Sequence, residues 1–89
     1  MTHELRGMAR QNKRTPSKLA RHAQRLAANV RQLRQDAGLS QRELAAAAGV
    51  RQALVSDIER GEANPTFESL VKIADTLRVD LTRIFDGDQ

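Results

Sequence analysis

The stretch "RQALVSDIER", residues 51–60, carries an amide at Gln52, a hydroxyl at Ser56, a carboxylate at Asp57 and a guanidinium at Arg60. Steps of three and four residues put such groups on one side of a helix. Together they can recognise a hydrogen-bonding surface, since each offers donors or acceptors from a fixed position. Covalent chemistry has no comparable set of residues. The chain has no cysteine, and no side chain pairs a nucleophile with a base. His3 and His22 lack a carboxylate or thiolate cluster at ligand spacing, so neither metal nor cofactor is expected. Ser40 reads as a helix cap and Ser56 as an exposed polar group. An 89-residue chain has little room for a substrate pocket, and the expectation is that it is not an enzyme.

A face of that kind needs a rigid mount. Between Gln41 and Arg60 the apolar residues are Leu44, Ala48, Val50, Val55 and Ile58. Ala45 is small where a second helix must pass close by. Gly49 stands where a short turn requires positive φ. Two short helices joined in this way cross steeply and leave the start of the second as a free edge. Ser40 and Glu43 spell a capping box, S-x-x-E, at the start of the first of these helices. The next covers about residues 52–60 and ends at Gly61. "EANP" is a loop, because the residue before a proline is steered away from helical angles. Thr66 caps a helix whose apolar face is Leu70, Ile73, Ala74 and Leu77, and Asp80 caps a last short helix bearing Leu81, Ile84 and Phe85.

Upstream, residues 1–14 show little apolar periodicity and read as a mobile basic arm. Thr15 and Pro16 suit an N-cap and a first helical position. Leu19, Ala23, Leu26, Val30, Leu33 and Ala37 then form one helical stripe up to Gly38, a candidate left-handed cap. The stripe fits one helix of about 22 residues or two helices broken near residue 25. Its first part can belong to the core or to a contact with a second subunit. No segment alternates like a half-buried strand. The fold predicted is all-α: a compact five-helix bundle with a helix-turn-helix, its first helix able to extend N-terminally. The domain division is an arm at 1–14, a helical extension at 15–25 and the main domain at 26–86.

The formal charge of +4 conceals an asymmetry. Residues 1–34 hold nine Lys/Arg and one acid, a net of +8, whereas residues 35–89 hold six Lys/Arg and ten acids, a net of −4. A basic end on an acidic body points to an anionic partner engaged from that end, or to a solvated tail. Phe67 and Phe85 are the only aromatic residues, which argues against stacking single-stranded bases. No apolar run approaches the roughly 20 residues of a membrane span, and no secretory signal is visible. With cysteine absent, a cytoplasmic location is expected.

The segments "LRQDAGLSQRELAAAAGV" and "VSDIERGEANPTFESLVKIADTLRVDLTRIF" resemble the Cro/CI-type (Xre) helix-turn-helix family over about residues 26–85. The turn glycine, the small residue at 45, the "ERG" end and the "NPT" start of the fourth helix fall in register. The resemblance implies a sequence-specific binder of duplex DNA whose third helix enters the major groove. Carried over by position, Gln41 meets a phosphate. Arg51, Gln52, Ala53, Ser56 and Asp57 face base edges, while Arg60 and Asn64 face the backbone. Arg42 adds a cation near the groove. The resemblance also pairs Arg34 with Glu59, as a structural ion pair. Two departures stand out: Arg51 replaces the usual Ser or Thr cap of the third helix, and Asp57, Glu59 and Glu62 make this region less basic.

Gln52 can bind adenine in bidentate fashion; Asp57 can accept from cytosine N4, or pair locally with Arg60 or Arg51. Lys13, Arg14 and Lys18, with the neighbouring arginines, are placed to follow the DNA backbone or enter an adjacent groove. The rival reading gives this segment to a protein partner or second subunit, through Leu5, Met8 and Leu19. The function expected is a homodimeric transcriptional regulator, a repressor or autoregulator, on a palindromic operator. Leu81, Ile84 and Phe85 form the predicted dimer interface. The alternative is an antitoxin that binds a toxin protein and regulates its own operon.

Overall fold

The computed structural model of the chain describes residues 17–86. Four α-helices follow in order, α1 (Lys18–Asp36), α2 (Gln41–Ala48), α3 (Gln52–Glu59) and α4 (Phe67–Thr76), and a 3₁₀ helix, Leu81–Phe85, closes the fold. The described residues contain no strand. The all-α reading therefore holds, but the fifth element is a single 3₁₀ turn rather than an α-helix.

α1 is one continuous helix of 19 residues, which decides between the one-helix and two-helix readings. Its N-cap is Ser17, whose Oγ accepts from the Ala20 N–H at 3.1 Å. Thr15 and Pro16, the predicted start, lie outside the described residues, and the cap is two residues later than the sequence suggested. The capping box of α2 is complete: Glu43 N–H donates to Ser40 Oγ at 3.0 Å and Ser40 N–H donates to Glu43 Oε1 at 2.8 Å. Thr66 Oγ1 accepts from Ser69 N–H at the start of α4. Asp80 stands at the N-cap of the 3₁₀ helix, where its carbonyl accepts the Arg83 N–H at 2.9 Å but its side chain caps no backbone amide.

Each α-helix ends by the same device. A residue in the left-handed region lets its own N–H and the next one fold back onto carbonyls left free by the last turn. At α1, Gly38 (φ 73°) donates to the Gln35 carbonyl and Leu39 donates to that of Arg34. Gly49 and Gly61 serve α2 and α3. At α4 the position falls to Arg78, with φ 61°, the only described non-glycine residue at positive φ.

The core joins Leu26 and Val30 of α1, Leu44, Ala45 and Ala48 of α2, Val55 and Ile58 of α3, Leu70, Ile73 and Ala74 of α4, and Ile84. α2 packs on α3 and α4, while α1 packs on α3 and on the 3₁₀ helix. Asn29 ties that last contact. Its Nδ2 donates to the carbonyls of Ile84 and Asp86, at 3.0 and 2.8 Å.

Ile84 is fully buried, so the dimer face predicted from Leu81, Ile84 and Phe85 loses its middle member to the core. Leu81 is half-buried against the same core, and Phe85 keeps 37% of its surface exposed. Leu19, which begins the predicted apolar stripe, is 76% exposed because the first turns of α1 run beyond the buried layer.

Candidate nucleic-acid interface

The turn from α2 into α3 depends on Gly49, in the left-handed region, and on Ala45, whose carbonyl accepts the Val50 N–H at 3.0 Å. Arg51 then opens α3 in extended geometry and gives no side-chain cap bond. The Leu54 N–H turns back onto the Arg51 carbonyl at 3.0 Å, and no Arg51 side-chain bond caps the amides before it.

Arg51, Gln52 and Ala53 are exposed on this edge, and Arg42 is exposed in the first turn of α2. The side chains of Arg42, Arg51, Gln52 and Asn64 make no hydrogen bond or ion pair to another described residue. They are polar groups with no task inside the domain.

Gln41 also has a partner within the fold. Its Nε2 donates to Glu59 Oε1 at 3.0 Å, so one of its two amide hydrogens is committed within the fold. Glu59 is the hub of that region. It is 4% exposed and receives Arg34 through both oxygens, Nε to Oε2 at 2.7 Å and Nη2 to Oε1 at 3.0 Å. Arg34 Nη1 also donates to the Leu39 carbonyl at 2.8 Å, which fixes the α1–α2 link. Arg31 adds a bond from Nη2 to the Glu59 carbonyl, at 2.8 Å, placing a cation at the C-terminal end of α3.

Burial alone would raise the Glu59 carboxyl. The hydrogen bonds from Arg34 and Gln41, with the charges of Arg34 and Arg31, outweigh it and hold the group below its ordinary value. The sequence pointed to Arg34 and Glu59 but not to Gln41 or Arg31. The usable signal was that a buried carboxylate needs more than one donor, and Arg31 lies three residues before Arg34 on the same helix.

Ser56, Asp57 and Arg60 belong to a second cluster. Arg60 Nη1 donates to Ser56 Oγ at 2.7 Å, Nη2 donates to Asp57 Oδ1, and Nε donates to Glu62 Oε1 at 3.2 Å. Asp57 thus takes its local partner here, and that partner is Arg60 rather than Arg51. Glu62 was singled out in the sequence only for its charge.

Lys18 is exposed at the start of α1. Its neighbours Ser17 and Leu19 line a shallow groove with Gly61, Glu62 and Asn64, so the first turn of α1 lies beside the loop that follows α3. Lys13 and Arg14 lie outside the described residues. Among the described residues no helix is long and apolar enough to cross a membrane.

A family model described as Helix-turn-helix (HTH_3) matches residues 30–84. The chain is 35% identical over 63 residues to the HTH-type transcriptional regulator DdrOP3 of Deinococcus deserti, covering 71% of this chain and 49% of that protein. It is 41% identical over 64 residues to the HTH-type transcriptional regulator SutR of Escherichia coli, covering 72% of this chain and 36% of the relative. The chain thus spans half or less of the length of these two relatives. Among solved structures, the restriction-modification controller protein C.AhdI of Aeromonas hydrophila superposes with a TM-score of 0.68 at 30% identity, covering 71% of this chain and 96% of the controller. An HTH_3 family transcriptional regulator from Vibrio cholerae superposes with a TM-score of 0.72 at 34% identity, covering 76% of this chain and 38% of the other.

Proposed function

Because this chain belongs to the helix-turn-helix family, HTH_3, that matches residues 30–84, we propose that it binds duplex DNA in a sequence-specific way and regulates transcription. The proposal carries three finer parts: it acts as a repressor or autoregulator, as a homodimer, and on a palindromic operator. The observation that carries the reading is the free edge at the start of α3. Arg51, Gln52 and Ala53 are exposed, and neither polar side chain of the three has a partner among the described residues. Gln52 matches the adenine edge, and the Ala53 methyl suits contact with a thymine methyl. Arg51 joins them at the base edges, and Arg42 and Asn64 supply phosphate contacts.

A single domain reads only a few base pairs, so two copies on half-sites about 10 bp apart would give useful specificity. Phe85 supports such pairing, since it lies beside Leu19 in an apolar groove at the surface of the domain. Lys18, next to the loop that carries Asn64, supports a role for the basic N-terminal residues along the DNA backbone.

Selection of bound duplexes from a random library, with sedimentation of the free and bound protein, tests all parts together. The expected result is an enriched inverted repeat bound by two chains. Recovery of no preferred sequence would reject the reading, and a single half-site bound by one chain would reject the dimer.

A further inference from the structure

Three cations of residues 41–66 are available to duplex DNA: Arg42, Arg51 and Arg60. Arg42 and Arg51 have no partner among the described residues, but Arg60 is held at all three guanidinium nitrogens, by Glu62, Ser56 and Asp57. The holders are not buried. The side chains of Arg60, Asp57 and Glu62 are 54%, 44% and 64% exposed, so the cluster sits in solvent and can open at small cost. Of the four acids in the same stretch, Glu43 is committed to the α2 cap and Glu59 to Arg34. Asp57 and Glu62 are the remaining two, and both lie on Arg60.

Three of the five N–H donors of Arg60 are taken, and its charge is shared between two carboxylates, so a full phosphate contact draws it away from them. When Arg60 turns to the DNA backbone, Asp57 loses its cation while lying one helical turn after the exposed Ala53 on α3. On most sequences that carboxylate meets acceptor atoms and phosphate charge. Where the facing base offers an amino group, cytosine N4 or adenine N6, it regains a donor.

We propose that Asp57 is a positioning residue for Arg60: it keeps the guanidinium off phosphate until the amino group of a base donates to the carboxylate, and so couples one backbone contact to one base identity. This rests on the duplex-DNA reading above and deepens it. Glu62 restrains Arg60 from the loop side, and Ser56 fixes the orientation of its third nitrogen.

The test compares the wild-type chain with Asp57→Asn, Arg60→Gln and the double variant on a random-sequence duplex and on the selected site, across a salt series. Each phosphate contact adds about 0.9 to the slope of log affinity against log salt. Asp57→Asn is expected to bind random duplex roughly fivefold more tightly at low salt and to steepen that slope by about 0.9 per subunit. The same change should relax the preference for cytosine or adenine at one position of each half-site.

In the Arg60→Gln background, Asp57→Asn should leave the slope unchanged. An equal gain in affinity and slope with and without Arg60 would mean that Asp57 merely repels phosphate, and would overturn the coupling. So would an unchanged slope for Asp57→Asn alone. Failure of the wild-type chain and every variant to bind any duplex would instead reject the function itself, and the coupling with it.

Discussion

Arg34 and Glu59 lie fork to fork across the contact between α1 and α3, with side chains only 13% and 2% exposed. Both carboxylate oxygens are taken, and Gln41 shares one of them. The pair therefore fixes three helices at a single point, α1 through Arg34, α2 through Gln41 and α3 through Glu59. Since α2 and α3 carry the exposed edge, the geometry of that edge depends on a buried charge that touches none of its residues.

Removal of one partner leaves the other charged and buried. Arg34→Met and Glu59→Gln are each expected to cost about 3–5 kcal/mol, with the double variant well below their sum. Urea unfolding of the four proteins measures this. Additive costs would mean that the two side chains act independently.

The same pair makes acid sensitivity predictable. Glu59 binds its proton less readily in the folded chain than an ordinary glutamate does. The unfolded chain therefore takes up more protons as pH falls, and protonation favours unfolding. The contribution of Glu59 is complete above the ordinary glutamate value, about 4.3, and is lost as pH drops below it toward the depressed folded value. The stability difference between wild type and Glu59→Gln should accordingly be largest near neutrality and shrink with acid. A constant difference from pH 7 to pH 3 would contradict this.

Arg78 holds the left-handed position after α4 that glycine fills after the other three α-helices. A Cβ makes that conformation costly, by roughly 1–2 kcal/mol, while glycine pays part of this back in unfolded-chain entropy. Arg78→Gly should raise stability by about 0.5–1 kcal/mol, read as a shift of the urea midpoint at constant slope. The side chain is exposed and makes no hydrogen bond or ion pair to another described residue that would be lost.

Ile84 and Phe85 are neighbours with opposite fates. Ile84→Ala should cost about 2–5 kcal/mol, as a cavity in a closed core. Phe85→Ala should cost less in the monomer and act mainly on self-association, measured by sedimentation at micromolar concentration. Equal stability losses, with assembly unchanged, would remove Phe85 from any interface.

What the sequence made legible was local. The Ser40–Glu43 box, the Gly49 turn and the Thr66 cap are chemistry within a few residues, and all three are present. The apolar faces of α2, α3 and α4 followed from helical spacing. Long-range decisions escaped. Ser17 and Thr15 are both competent caps two residues apart, and composition does not rank them. Ile84 turns inward because Asn29 pulls the backbone of the 3₁₀ turn onto α1, a contact 55 residues away. The bond from Gln41 to Glu59 joins residues 18 apart, and no local pattern announces it. Leu19 fits the stripe by period but lies beyond the core, one of the two places its spacing allowed.

Gln52 and Arg42 should separate reading a sequence from gripping a backbone. Both are exposed and unpartnered among the described residues, so neither substitution should disturb the fold. Gln52 can form two hydrogen bonds with one base edge, and these exist only on the right base. Gln52→Ala should therefore cost about 1–3 kcal/mol on the selected site, relax one position of each half-site and leave random duplex almost unaffected. Arg42 carries charge but no base code. Arg42→Gln should weaken all duplexes alike and lower the salt slope by about 0.9 per subunit. Titrations of both variants against selected and random duplexes at several salt concentrations distinguish these patterns. If Gln52→Ala weakens both duplexes equally, Gln52 is a backbone contact and base reading falls to its neighbours on α3. If Arg42→Gln alters base preference, the first turn of α2 lies closer to the groove floor than its position in the helix-turn-helix implies.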